Sequence, residues 1–185
     1  MKRSEKIVDN LGITDPAVKQ NVLYILANRY FKLNDIYEVR DQKVKYAKAV
    51  LTGASKQAAI EAAELEKDAT LYRCHFEFPA SLSLYINDKQ IDAIKDGMTY
   101  NSLQVQYESL VDMVPSLTEE EKKQIYAWYK EAREFSMDAE NSDKKHAAFN
   151  KYKGRINNYL TKRGYDLVKE RNEWYKRLKA AGKKI

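Results

Sequence analysis

The sequence predicts an all-α protein, an antiparallel helical bundle with one long helix and short connecting loops. Three observations carry this. The 185 residues include only 6 Gly and 3 Pro, too few for a turn-rich β fold. Apolar residues make up 44% of the chain and charged residues 32%, so there is enough apolar surface to close a helical core. Along most of the length the apolar side chains recur at three- and four-residue intervals, as they do on a helix with one buried face.

Taken in order, Ser4 is placed to cap a short first helix ending near Gly12. Asp15-Pro16 then supplies an N-cap followed by proline at the first helical position. The long helix starts there: Val18, Val22, Leu26, Leu33, Tyr37, Val44, Ala47 and Leu51 share one face, and Gly53 should stop it after Thr52. Ser55 is the expected cap of the next helix, whose stripe is Ala58, Ala62, Leu65, Ala69, Tyr72 and Phe76. Pro79 should kink or end it. Residues 81–86 alternate as a half-buried strand would, but are read as helix. Asn87 and Gln90, flanked by Ile86 and Ile91, form a capping box with a hydrophobic staple that opens a helix to about Lys95. Residues 97–106 are expected to be extended or loop. Thr118 and Glu121 form a second capping box, starting a helix to Asp138 or Ala139. Ser142 should cap a helix reaching about Thr161, Gly164 should break it, and Asp166 should cap a last helix ending near Gly182.

No long-period repeat and no Gly/Ser linker divides the chain, so a single helical domain over 1–185 is expected. No apolar run approaches the roughly 20 residues of a membrane span, so no membrane insertion is expected. The opening MKRSEKIVDN lacks the apolar core of a signal peptide. With one cysteine, Cys74, no intrachain disulfide can form, and the oligomeric state is left open.

The specific enzyme signatures are missing. There is no glycine-rich phosphate loop, no GxSxG, no HExxH and no CxxC. Two histidines and one cysteine argue against a zinc site, so neither a metal nor a cofactor is expected, and the protein is read as a non-enzyme. Cys74 and His75 are helix neighbours whose side chains diverge by about 100°, which disfavours a nucleophile and base pair.

Charge is unevenly spread. The net charge is +6, but residues 144–185 hold 14 Lys/Arg against 3 Asp/Glu, or +11, leaving 19 against 24, or −5, in residues 1–143. The basic quarter either docks on the acidic remainder of the same molecule or binds a polyanion through Lys162, Arg163, Lys176, Arg177, Lys183 and Lys184. Arg29 and Arg40 fall at the centre of the long helix's apolar stripe, where an unpaired cation costs several kcal/mol, about 3–5 when a partner is removed. Internal ion pairs are the expected answer.

Candidate binding residues lie on the helix over 143–161. Ala148, Phe149, Tyr152, Ile156, Tyr159 and Leu160 make its core stripe, while His146, Asn150, Lys153 and Asn157 form a ladder of hydrogen-bonding groups along one flank. An aromatic from the preceding helix, Trp128 or Tyr126, could lie beneath a ligand on that flank. Such a pairing of polar groups with an apolar ring face suits a carbohydrate, whose hydroxyls need partners while its C–H face is buried. The doublets Trp128-Tyr129 and Trp174-Tyr175 should each send their two rings in different directions.

The stretches KDGMTY (95–100), LTEEEKKQI (117–125), EAREFSMDA (131–139), KHAAFNKYKGRINNYL (145–160) and GYDL (164–167) resemble a family of small secreted helical proteins from Bacteroidetes, across roughly the C-terminal two thirds. Members carry no established activity and are described as sugar-binding. The resemblance therefore implies carbohydrate binding without catalysis, in the periplasm or outside the cell once a signal peptide is removed. LTEEEKKQI and INDKQIDAI also look like the Leu-Thr-x-x-Gln motif of small periplasmic helical stress chaperones, which implies a chaperone-like or structural envelope role. Both copies depart from that motif: Glu121 stands at the Gln position of the first, and Ile86 and Asn87 replace Leu and Thr in the second. Each also reads fully as a capping box.

Overall fold

The computed structural model describes residues 2–183, and among these nine helices and no strand occur. They are α1 (Lys2–Asp9), α2 (Pro16–Val50), α3 (Gly53–His75), α4 (Glu77–Leu82), α5 (Asp88–Met98), α6 (Ser102–Met113), α7 (Glu119–Met137), α8 (Ser142–Lys162) and α9 (Leu167–Ala180). The chain divides into two compact units, Met1–Ile94 and Lys95–Ile185, and the division falls inside α5 rather than in a loop. No described helix is long and apolar enough to cross a membrane.

The first unit is built on α2. Asp15 caps it as the sequence predicts, its Oδ1 accepting from the amides of Ala17 at 2.8 Å and Val18 at 3.3 Å, an arrangement that stabilises by about 1 kcal/mol. Val22, Leu26, Leu33 and Ala47 of the expected stripe are buried, and each of the larger side chains contributes about 1.5–3 kcal/mol. α1 packs on α2, and α3 runs back along it after the extended pair Leu51 and Thr52. Ser4 does not cap α1: it lies inside that helix and is buried. Nor does Ser55 cap α3. Thr52 occupies the N-cap position, because Gly53 with φ 54° turns the chain and lets helix resume at once. Pro79 acts as expected. Lacking an N–H for the carbonyl of His75, it forces the break at Phe76 between α3 and α4.

The expected apolar stripe of α3 is the main correction. Ala58, Ala62, Leu65, Ala69, Tyr72 and Phe76 are all exposed, and the face turned to α2 carries Ile60, Ala63, Lys67 and Cys74 instead. α3 can face α2 with this more polar side because the charges there are paired: Lys67 meets Glu64 and Asp68 of its own helix, both at 2.9 Å, and Arg40 of α2 meets Glu64 at 3.0 Å. Residues 83–86 are turns rather than helix. Ser83 Oγ donates to Ala80 O at 2.7 Å where α4 ends, and Leu82 and Ile86 are buried on either side.

Asn87 and Gln90 form the predicted box, with Gln90 N donating to Asn87 Oδ1 at 3.0 Å and Asn87 N to Gln90 Oε1 at 3.2 Å. Gln90 Nε2 also donates to Leu11 O at 3.0 Å. The expected loop over 97–106 shrinks to three residues, 99–101, because burial of Met98 and Leu103 holds helix on both sides.

The second unit is a four-helix bundle in which α6 packs on α7, α7 on α8, α8 on α9, and α9 back on α6. Leu103, Leu110, Ile125, Tyr129, Phe149, Ile156 and Leu160 fill it. The Thr118–Glu121 box forms at the start of α7. Asn141, not Ser142, caps α8, its Oδ1 accepting from Lys144 N at 3.0 Å. Gly164 ends α8 with φ 94°: Tyr165 N reaches Leu160 O at 3.1 Å and Gly164 N reaches Thr161 O at 3.0 Å, the paired bonds of a Schellman turn. Asp166 then caps α9, accepting from Val168 N and Lys169 N.

Candidate functional site

In the second unit, two cations take core positions. Arg133 lies one turn beyond Tyr129 on the buried face of α7, and Lys145 one turn before Phe149 on that of α8. Each finds internal partners. Arg133 Nη1 donates to Asp96 Oδ1 at 2.9 Å and Nη2 to Glu134 Oε1 at 3.2 Å, while Lys95 Nζ meets Glu134 Oε2 at 2.8 Å. Lys145 Nζ donates to Met137 O at 3.3 Å, and Ser136 Oγ to Lys145 O at 3.2 Å. Only Arg133 and Lys145 are buried and the carboxylates stay partly exposed, so solvent screens the pairs and their value lies in geometry: they fix the end of α5 against α7 and α7 against α8.

The chain fixed there is Thr99–Asn101. The amides of Thr99 and Asn101 donate to Asp96 O at 3.1 and 2.8 Å, and Thr99 Oγ1 to Lys95 O at 2.9 Å. Tyr100 and Asn101 have φ 60° and 55°, two consecutive non-glycine residues in the left-handed region. Asn tolerates this; for a bulky residue such as tyrosine it costs on the order of 1–3 kcal/mol and persists only where surrounding structure enforces it. The turn stands Tyr100 out of the bundle, 43% exposed, with its ring stacked on His146 at 5.6 Å between centroids and 17° between planes.

His146 is therefore joined by an aromatic that the sequence did not single out. Asn150 and Lys153 follow it along the exposed flank of α8, and Asn157 is half-buried. The flank is an open surface strip, not the wall of a cleft, because α8 turns only its stripe inward. Trp128 and Tyr126 are not brought to it. Trp128 packs edge-on against Tyr159 at 5.1 Å, about 150° around α8 from the flank, and Tyr126 packs against Tyr107 of α6 at 5.1 Å. Tyr129 enters the core as expected, whereas Trp174 and Tyr175 stack on one another at 5.6 Å rather than diverging.

Arg133 and Lys145 carried the same signal as Arg29 and Arg40, a cation on an apolar stripe. On α2, Arg29 Nη1 donates to Cys74 O at 2.9 Å and lies 5.7 Å from the Phe78 ring centroid, and Arg40 pairs with Asp41 at 2.7 Å and with Glu64. Internal pairing thus describes Arg40, while a backbone carbonyl takes part at Arg29.

Among the basic residues, Arg163 Nε donates to Glu121 at 2.6 Å, Arg177 Nη2 to Asp112 O at 2.7 Å, and Lys176 pairs with Glu173 at 2.7 Å. Lys162 and Lys183 are exposed, and Lys184 lies outside the described residues. Glu121 is itself buried, 2% exposed. Burial pushes its carboxyl up, but Tyr165 Oη at 2.7 Å, Thr118 N at 2.9 Å and Arg163 overcome that and bring its pKa down from 4.5 to about 2. Among the described residues, no group of three or more His, Cys, Asp or Glu is placed to hold a metal ion. Two open grooves of about 260 and 560 Å³ lie instead between α2 and α3, bordered by Val39, Tyr46, Ala63 and the Lys43–Glu66 ion pair.

Fold and site together define a helical protein with an exposed aromatic pair on a rigid charged support. The chain belongs to the family described as protein of unknown function DUF3826, whose profile matches residues 1–180. No curated protein matches it.

Proposed function

We propose that the protein binds a carbohydrate without transforming it, along the flank of α8 headed by Tyr100. The observation that carries this reading is the exposed Tyr100–His146 stack, held by a strained left-handed turn on the partly buried Arg133–Asp96–Glu134–Lys95 network. Strain kept at an exposed aromatic is a mark of binding sites. A tyrosine face covers the C–H side of a pyranose, and the polar groups beside it meet the hydroxyls. From His146 to Asn157 the flank spans about 16 Å at 1.5 Å per residue, the length of a short oligosaccharide rather than a single sugar. The resemblance to secreted sugar-binding proteins supports the same reading and a periplasmic or extracellular setting.

A thermal-shift screen across mono-, oligo- and polysaccharides tests it, since a ligand of the folded state raises its melting temperature by mass action. Tyr100→Ala should abolish the shift, and Lys153→Ala with Asn157→Ala should weaken it, while both leave the unliganded melting temperature within about 2 °C, as expected of side chains outside the core. A glycan response retained in Tyr100→Ala would place the site elsewhere.

A further inference from the structure

α3 carries two seams of side chains at alternating four- and three-residue spacing, the heptad pattern of helices that pack along their length. One, Lys56, Ile60, Ala63, Lys67, Thr70 and Cys74, faces α2 and is buried or half-buried. The other, Ala58, Ala62, Leu65, Ala69, Tyr72 and Phe76, lies about 160° around the helix and is wholly exposed, with Leu65, Tyr72 and Phe76 at 69%, 70% and 61%. This second seam is the more apolar of the two. Helical side chains keep such spacing over 19 residues when another helix covers them, and the helices of the first unit leave this side of α3 uncovered.

We propose that the seam is covered by α3 of a second copy of this chain, packed antiparallel about a two-fold axis that crosses the exposed seam between Leu65 and Ala69. The seam is self-complementary in that orientation. With residues whose numbers sum to 134 placed opposite one another, Phe76 meets Ala58, Tyr72 meets Ala62 and Leu65 meets Ala69, a large side chain against a small one at every level. A parallel pairing would set Phe76 on Phe76 and Ala58 on Ala58, leaving clashes and gaps in alternation. The antiparallel pairing closes as an isologous dimer, the symmetry of most homo-oligomers, and also opposes the two helix dipoles.

The buried area sets the strength. An aromatic ring side chain offers 150–250 Å² in all, so two rings about two-thirds exposed on each of two copies hide roughly 500 Å². Leu65, the three alanines and the side-chain stems beside them bring the total to roughly 1,000 Å², the lower bound of a specific interface. The dimer is therefore reversible and concentration-dependent. The Tyr72 and Phe76 rings already meet edge to edge at 5.7 Å, so little side-chain order remains to be gained on docking.

Sedimentation equilibrium from about 1 to 200 µM tests the proposal. The wild type should pass from monomer to dimer across that range, and Ala69→Glu, which puts an exposed carboxylate opposite Leu65, should stay monomeric at every concentration with an unchanged helical CD spectrum. Orientation is read by oxidation: a mixture of Ala58→Cys and Phe76→Cys chains should cross-link to each other well above the level of Ala58→Cys alone or of wild type. A wild type that remains monomeric at 200 µM, an Ala69→Glu variant that dimerises as wild type does, or Ala58→Cys chains that cross-link among themselves as readily as with Phe76→Cys would each overturn it.

Discussion

Replacing Glu121 by glutamine removes one charge from the junction of the second unit while keeping the shape of the side chain. In the wild type, Oε2 accepts from Thr118 N and Tyr165 Oη, and Oε1 accepts from Arg163 Nε. Hydrogen bonds to a charged group stabilise by about 1.5–3 kcal/mol each, but they share one carboxylate, and the Arg163 side chain is 45% exposed, so solvent screens that pair. A lowering of the pKa from 4.5 to about 2 bounds the charge-dependent part at about 3 kcal/mol, and screening reduces it to about 1–2. For 185 residues this corresponds to a fall of roughly 4–8 °C in melting temperature at pH 7 for about 2 kcal/mol. The sign with pH follows from a depressed carboxyl. Its contribution is complete above the ordinary value of 4.5 and is lost as pH falls through the folded value near 2. Urea unfolding of wild type and Glu121→Gln should therefore give a difference that is constant from pH 7 to about 5 and shrinks toward pH 2. A difference that is absent at pH 7, or one that stays flat down to pH 2, would refute the reasoning.

Three further outcomes are expected. Arg40→Ala strands Glu64 and Asp41, which are 39% and 61% exposed and can rehydrate, so the unfolding free energy should drop by about 1–2 kcal/mol rather than the 3–5 of a fully buried pair; an unchanged denaturation midpoint would show that the stripe does not need the cation. Gly164→Ala forces a Cβ into a backbone with φ 94° and should cost about 1–2 kcal/mol by thermal melting, although the space around it is open. If the exposed lysines of the basic quarter bind a polyanion, heparin affinity measured by titration should fall steeply between about 0.05 and 0.2 M salt; no binding at about 0.01 M, where screening is weak, would leave those residues to their internal partners.

Local chemistry explains what could be read from the sequence. Asp15-Pro16, Asn87 with Gln90, Thr118 with Glu121, Gly164 and Asp166 act within three or four residues of themselves, so their caps and breaks were legible before any packing was known. The stripes of α2 and α8 were legible because their apolar residues keep helical spacing over the whole helix, although α2 also exposes Tyr24, Phe31, Val39, Tyr46 and Val50 on another side. Of the candidate site, His146 and its flank could be placed by angle alone, but not the ring that meets them.

Tertiary structure decided the rest. α3 offers two heptad seams, and periodicity favours the more apolar one; α2 takes the other, where its Arg40 finds Glu64, a partner 24 residues away in the chain. Tyr100 lies in the connection that the sequence reading expected, but its left-handed backbone and its stack on His146 were not legible, because they depend on the burial of Met98 and Leu103 and on the ties from Asp96 to Arg133. A sequence determines which faces its helices possess, through spacing and capping. Which face meets which neighbour depends on charges and rings brought together across the fold, and those distances are not written in the spacing.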